Sequence, residues 1–418
     1  MIMKQLLKDI IEDQKHFLRK RKTIERAFPS SYMANEEIII ISGVRRCGKS
    51  VLLQQIRDKA PQRDYFFNFD DDRLVTFKAS DFQELYEVFV ELYGEEDYFF
   101  FDEIQNVDGW EHFVKRLYNS GKKVFITGSN AKMLSRELGT LLTGCYIAYE
   151  LYPFSFREYL QFVGVGSIAE KAGGTERNGV LQRHFNEYLR KGGFPMYLKS
   201  GEDIILKTLY DNILYRDVMV RNMITNEREL REMVYFVVSN IGKPYTYNSI
   251  KNVIEVKNPT TVKNYLDYVE STYLLFSVNK LDVSVKAQLR NPKKMYAIDN
   301  ALVLRLGFHF SGEEGRLLEN LVYVELRRRK GEIFYYNDIS SECDFVVRDG
   351  FRVEKAVQVS YIIEDEDTKD RELKGLLAAM RAFKLEEGFI ITNSHNEELV
   401  IEGFKIHIVS AANWLLQQ

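Results

Sequence analysis

Cysteine is scarce. The chain of 418 residues has three, Cys47, Cys145 and Cys343, far apart and odd in number. This excludes a disulfide framework or a zinc cluster and points to a reducing cytoplasm. Proline is scarce too, at seven residues, while 45% of the chain is hydrophobic and 13% aromatic. That balance argues against disorder and for sizeable cores. No apolar run approaches the roughly 20 residues of a membrane-spanning helix, so no membrane partner is expected. The start, MIMKQLLKDIIEDQKH, acquires charges too early to read as a secretory signal. Neither sign of charge dominates: 58 Lys and Arg face 61 Asp and Glu, for a net charge of −3. A wholesale polyanion binder is thereby excluded, and any nucleic-acid contact must be a local patch. At about 150 residues per domain, the length suggests two to four domains.

What is present begins with an amphipathic helix expected over 4–27. Strands are expected at Glu37–Ser42, Asp64–Phe69, Asp97–Phe101, Lys123–Thr127 and Cys145–Leu151. Helices alternate with them, one starting at Ser50 and one over Asp81–Tyr93 with Ser80 as its N-cap. That alternation predicts an α/β fold with a parallel sheet and helical crossovers. Residues 154–222 read as helical, broken by a Gly-rich loop and by the turn Gly192-Gly193-Phe194-Pro195. A small helical unit with β-rich stretches at Tyr273–Asn279 and Asp282–Gln288 follows. After it come a helix around Leu317–Arg329 and strands at Ile333–Tyr336, Cys343–Val347, Ala356–Tyr361, Gly388–Thr392 and Lys405–Val409. No internal repeat or low-complexity segment is found.

Between the first strand and its helix stands Gly43-Val-Arg-Arg-Cys-Gly48-Lys49-Ser50, which fits GxxxxGK[ST]. Glycines let backbone N–H groups curl around a β-phosphate, and the helix N-terminus adds its dipole. ATP is therefore expected against Gly43, Arg46, Cys47, Gly48, Lys49, Ser50 and Val51. Lys49 would reach the β- and γ-phosphates, and Ser50 would ligate Mg²⁺. The strand Tyr98-Phe99-Phe100-Phe101 ends in Asp102-Glu103. Asp102 suits the metal's coordination shell, and Glu103 suits polarisation of the attacking water. Taken alone, two acids at a strand end read better as a solvated terminus; beside a phosphate loop they read as catalytic. Thr127-Gly128-Ser129-Asn130 closes the fourth strand, where Asn130 or Ser129 could orient water. A plain turn explains this stretch nearly as well. Arg136 and Arg216 are candidate arginine fingers, while Arg157 fits a structural ion pair.

The string from ISGVRRCGKS through FFFDEIQ, ITGSN, LYPFSFREYL, GGFP and YRD resembles a group of prokaryotic AAA-type P-loop ATPases. Members carry a C-terminal domain of unassigned function, and the resemblance covers nearly the whole chain. It implies a sheet ordered 5-1-4-3-2, then a helical lid, with ATP and Mg²⁺ as cofactors. One departure is Gly144-Cys145, where the group often has Gly-Arg, so an arginine contact is missing there. The expected domains are an N-terminal helix (1–34), the P-loop ATPase core (35–152), a helical lid (153–224), a winged-helix-like domain (225–290) and a restriction-endonuclease-like domain (291–418).

In the fourth domain, Tyr247–Glu255, the turn at Asn258-Pro259 and Thr260–Ser271 resemble a winged helix-turn-helix. Thr261, Lys263 and Asn264 would then face a DNA major groove. Residues 225–290 carry nine Lys and Arg against seven Asp and Glu, which is weakly basic for that role. A docking module joining the ATPase to the last domain explains them as well. In the last domain, Glu319, Asp344 and the strand Gln358-Val359-Ser360 line up with the PD-(D/E)xK nuclease layout. That chemistry needs two carboxylates and a lysine around a metal. Gln358 and Ser360 stand where a carboxylate and the lysine belong, and Glu354 and Lys355 fall out of register, so the site reads as degenerate. Arg327-Arg328-Arg329-Lys330 fits a solvated helix end better than a phosphate contact.

The expected function is an ATP-hydrolysing AAA-type switch or motor acting on nucleic acid or on a protein partner. A binding switch with negligible turnover is the alternative. A third reading, an ATP-gated nuclease, is opposed by Gln358 and Ser360.

Overall fold

A computed structural model describes residues 4–15, 23–60, 64–129, 142–167, 174–282, 284–307, 314–338 and 341–417. The chain forms two compact units that divide after Leu151.

The first unit is built on five strands: β1 (Ile38–Ser42), β2 (Asp64–Asn68), β3 (Tyr98–Asp102), β4 (Lys123–Gly128) and β5 (Tyr146–Glu150). All pair in parallel, in the order β2-β3-β4-β1-β5. This is the 5-1-4-3-2 order implied by the resemblance. The central strands read as unbroken apolar runs because helices cover both faces of a parallel sheet. Ile38, Ile40, Phe99, Phe101, Val124 and Ile126 point into one core, shared with the helices Phe82–Tyr93 and Trp110–Asn119. On the alternate positions Phe100 and Phe125 stack at 4.9 Å. The helix Lys49–Lys59 packs against β1, β3 and β4.

Two local expectations change in this unit. The leading helix spans Lys4–Gln14, not 4–27. Residues 23–29 are irregular, with 16–22 outside the described residues. Leu7, Ile10 and Ile11 seat the helix on the core, and the Gln14 amide exchanges hydrogen bonds with the Asn68 backbone at 3.0 and 2.8 Å. Ser80 is no cap: it lies inside the 3₁₀ turn Ala79–Asp81, and the Asp81 carboxylate accepts from Lys78 N instead.

The second unit opens with the helices Phe156–Phe162, Thr175–Lys191, Pro195–Ser200 and Asp203–Asn212 and the π-helical Ile213–Val220. The turn Gly192–Pro195 is packed tightly. A Cβ on Gly193 would sit 2.2 Å from the Phe154 carbonyl oxygen, and Gly192 adopts φ 62° against the Asp299 carboxylate. Then follow a helix (Glu227–Val238), β6 (Pro244–Tyr245), two helices (Tyr247–Val253 and Pro259–Glu270), β7 (Leu275–Asn279) and β8 (Lys293–Ala297). The strands form a small antiparallel sheet ordered β6-β8-β7. The second β-rich stretch is therefore misplaced. Residues Val285–Arg290 are a helix, capped where Ser284 Oγ accepts from Ala287 N, and the pairing strand lies beyond it. The alternating apolar residues there gain no burial, since Val285 and Leu289 are exposed, so local capping prevails.

The chain ends in a mixed six-stranded sheet: β9 (Glu332–Asn337), β10 (Glu342–Asp349), β11 (Arg352–Ser360), β12 (Glu387–Thr392), β13 (Glu397–Ile401) and β14 (Phe404–Ser410). Their order is β13-β14-β12-β11-β10-β9. The helix Glu366–Phe383 shares a core with Cys343, Val346 and Ile390. Glu314–Arg328 also packs on β8 to β11, holding Asn320 in a buried network with Ala297 and Asn300. Among the described residues no helix is long and apolar enough to cross a membrane.

Candidate active site

The phosphate loop follows directly from β1. Gly43 takes φ 146°, and any Cβ there would lie 2.2 Å from the Leu151 carbonyl oxygen. Gly48, at φ 108°, opens the helix Lys49–Lys59. The buried Lys49 ammonium donates to the carbonyls of Gly43 at 3.1 Å and Val44 at 3.3 Å. Ser50 and Val51 follow in the first helical turn, both half-buried. Arg46 is exposed in a left-handed conformation. The Cys47 side chain is fully buried under the loop, so only its backbone can face a ligand.

Asp102 and Glu103 close β3 beside this loop. Thr127 at the end of β4 holds both: its hydroxyl donates to Asp102 Oδ1 at 2.6 Å and accepts from Glu103 N at 2.9 Å. Burial, reinforced by the charge of Glu103, pushes Asp102 up to about 6, while Thr127, Ser50 and Lys49 oppose that shift. Glu103 adopts φ 52°, which turns its carboxylate toward Lys49, 3.8 Å away, and the Gln105 amide donates to it. The strand ends thus gather a lysine, a serine hydroxyl and two carboxylates of different environment.

Two members of this cluster escape sequence reasoning. Thr127 stands in the motif TGSN, but the water-orienting role is expected of Ser129 or Asn130. Thr127 is the residue bonded to the acids, and Ser129 is buried just after it. Arg26 gives no sequence signal. Its buried guanidinium donates to the Cys47 carbonyl at 2.7 Å and flanks Gly48. The Gln55 side chain straps this segment to the loop's helix, bonding Arg26 N at 3.0 Å and the Ile24 carbonyl at 2.8 Å.

Residues 35–160 match the AAA domain family, and residues 182–312 match a domain of unknown function (DUF8612). An uncharacterized protein of Methanocaldococcus jannaschii is 34% identical over 409 residues, spanning 94% of this chain and 90% of that protein. A second, from Haemophilus influenzae, is 32% identical over 399 residues, 91% of this chain and 94% of the other. The chain belongs to one family with these two proteins and carries an AAA domain. Among solved structures, the Thermotoga maritima RuvB Holliday junction branch migration motor is similar at 14% identity, over 65% of this chain and 87% of that one. The TM-score is 0.29. As an AAA-type P-loop ATPase, the chain binds nucleotide, and the cluster around Lys49 lies within the matched domain.

The remaining expected residues of this AAA protein are dispersed. Asn130 and Arg136 lie outside the described residues. Arg216 is exposed on the π-helical segment of the second unit. Arg157 makes no ion pair among the described residues; it donates to the Leu416 carbonyl at 2.6 Å. Thr261, Lys263 and Asn264 sit on the helix Pro259–Glu270, Thr261 half-buried and the other two exposed. The basic run after Leu326 is not a solvated end. Arg327 stacks on Phe276, Arg328 bonds the Pro153 carbonyl, and Arg329 bonds the Trp414 carbonyl and covers that ring.

Glu319, Asp344 and Gln358 do converge. They line a cavity of about 600 Å³ with Glu342, Arg371 and Glu372. Burial and the charge of Glu319 push Asp344 up to about 8, with Lys294 pulling the other way. Ser360 does not line the cavity; its hydroxyl donates to the Ile362 carbonyl at 2.8 Å.

Proposed function

We propose that the chain hydrolyses ATP and couples nucleotide state to a nucleic-acid or protein partner through its C-terminal half. The observation that carries this reading is the Thr127 hydroxyl, which fixes Asp102 and Glu103 together beside Lys49 and Ser50. In the proposed mechanism the backbone from Gly43 to Val51, with Arg46, Cys47 and Gly48, cradles the phosphates. Lys49 exchanges its loop carbonyls for the β- and γ-phosphate oxygens. Glu103, less buried than Asp102 and aimed toward Lys49, accepts the proton of the attacking water. Magnesium, which the fold family implies, fits the donor set. The Ser50 hydroxyl and the Asp102 carboxylate are hard oxygen donors, and the helix that begins at Lys49 and Ser50 packs against β3, which ends in Asp102. Charge on the β- and γ-phosphate oxygens would be neutralised by Mg²⁺ when bound. Asn130 is proposed to orient water, and Arg136 or Arg216 to supply the finger.

The domain division proposed from the sequence stands with this reading: helix, ATPase core, helical lid, a winged-helix-type module and a nuclease-like domain without nuclease activity. The order helix, strand, helix, helix, strand, helix, strand over Glu227–Ala297, with the short helix Val285–Arg290 between the last two strands, supports a winged helix. Lys263 and Asn264 are exposed on its second inner helix, where they would meet DNA. The near-balance of charge favours docking as its other use. The absence of cysteine pairing fits a cytoplasmic setting.

The deciding experiment is steady-state phosphate release, with and without duplex DNA, single-stranded DNA and RNA. Lys49→Ala should abolish nucleotide affinity, whereas Glu103→Gln should keep binding and stop turnover. Wild-type turnover by Glu103→Gln would refute the base assignment. Negligible turnover by the wild type under every condition would leave the binding-switch reading.

A further inference from the structure

A nuclease-type metal site, implied by the layout of Glu319, Asp344 and the Gln358–Ser360 strand, needs oxygen atoms free to face one cation. Here most of those atoms are engaged. Asp344 Oδ1 accepts from Lys294 Nζ at 3.3 Å and Oδ2 from Val359 N at 3.0 Å. Glu319 Oε1 accepts from the Tyr296 hydroxyl at 2.6 Å and from Lys294 Nζ at 3.4 Å. Glu342 Oε1 lies 2.7 Å from the same ammonium. The Gln358 amide accepts from Asp344 N at 3.1 Å and donates to Glu372. The donor set does not fit a divalent metal.

We propose that Lys294 is the resident cation of this pocket, its ammonium standing where a divalent metal would otherwise sit between Glu319 and Asp344. Three observations support the assignment. The Lys294 side chain is 2% exposed and reaches three carboxylates at once, so it is built in rather than a surface lysine folded over. It arrives from β8, in the small sheet, while the carboxylates belong to the helix Glu314–Arg328 and to β10. Tyr296, two residues along the same strand face, anchors Glu319 toward it. A dication entering the same space would meet the ammonium's repulsion and find the neutral amide of Gln358 in place of an anionic ligand. The pocket is therefore metal-independent, and its lysine ties the small sheet to the last domain. This inference does not depend on Lys49 or Glu103, so its failure would leave the ATPase reading intact.

The test is Mn²⁺ binding to the full chain without nucleotide, followed by the resonance of free Mn²⁺. Asp344→Asn serves as the comparison that isolates this pocket from the phosphate site. Wild type and Asp344→Asn should bind Mn²⁺ alike. Lys294→Gln should gain a site at least about tenfold tighter, a gain lost again in Lys294→Gln/Asp344→Asn. Lys294→Arg, which keeps the charge, should gain nothing. If Lys294→Gln fails to fold, the comparison of wild type with Asp344→Asn still decides. Asp344-dependent Mn²⁺ binding by the wild type would overturn the proposal. So would Mn²⁺-dependent DNA cleavage by the wild type that disappears in Lys294→Arg.

Discussion

The guanidinium of Arg26 hydrogen-bonds the carbonyl of Cys47 at 2.7 Å, so a residue preceding the first strand helps shape the phosphate loop. The contact is buried and charge-assisted, the class that contributes about 1.5–3 kcal/mol. Arg26→Ala should destabilise the first unit by roughly that amount and weaken ATP affinity at least severalfold. Arg26→Lys keeps the charge but not the planar fork and should recover only part of the loss. Equilibrium nucleotide binding beside thermal unfolding checks this; unchanged affinity in Arg26→Ala would make the contact purely structural.

Asp102 gives a pH prediction. Its carboxyl is held up at about 6, mainly by burial, against an ordinary value of 3.8. A raised carboxyl costs stability wherever the unfolded chain ionises it more readily than the fold does. The cost is absent below about pH 4, grows as pH rises toward 6, and is constant above. Asp102→Asn keeps a partner for the Thr127 hydroxyl and removes the charge. The nucleotide-free variant should melt a few degrees higher than wild type at pH 7–8, with the gain shrinking toward pH 4. A gain independent of pH would show that ionisation of Asp102 is not its source.

Gly193 fixes the GGFP turn by space alone. A methyl group there would meet the Phe154 carbonyl oxygen at 2.2 Å. Its own carbonyl accepts from Phe154 N at 2.8 Å and its N–H donates to Asp299 at 2.6 Å. Gly193→Ala should therefore destabilise the second unit by about 1–3 kcal/mol or more, measurable by denaturant unfolding. A change under a few tenths would mean the turn relaxes freely.

The exposed Lys263 tests the partner. If the helix Pro259–Glu270 reads DNA, Lys263→Glu should weaken duplex binding and lower the slope of log K against log salt by about one or more. Equal binding by the variant at low and high salt would assign this module to protein docking.

The sequence by itself determined the elements whose signal is local. Ile38–Ser42 running into a glycine turn and a helix already specifies the phosphate loop, because strand, turn and helix propensities agree within twenty residues. The acids ending β3 and the helix–turn–helix at Asn258-Pro259 are legible for the same reason. Local patterning failed where capping overrode alternation, as at Val285–Arg290. It is silent on the helix Glu366–Phe383 and the strand Glu397–Ile401, which lie between better-marked strands. Only the tertiary structure brought Thr127 to Asp102, Arg26 to Cys47 and Lys294 to Asp344. These partners are separated by 25, 21 and 50 positions, and none belongs to a shared motif. Their contacts arise from strand order and from burial, which makes each polar atom find a partner wherever the fold supplies one. A lone threonine, arginine or lysine carries no periodicity, so its role becomes visible only when the chain has folded around it.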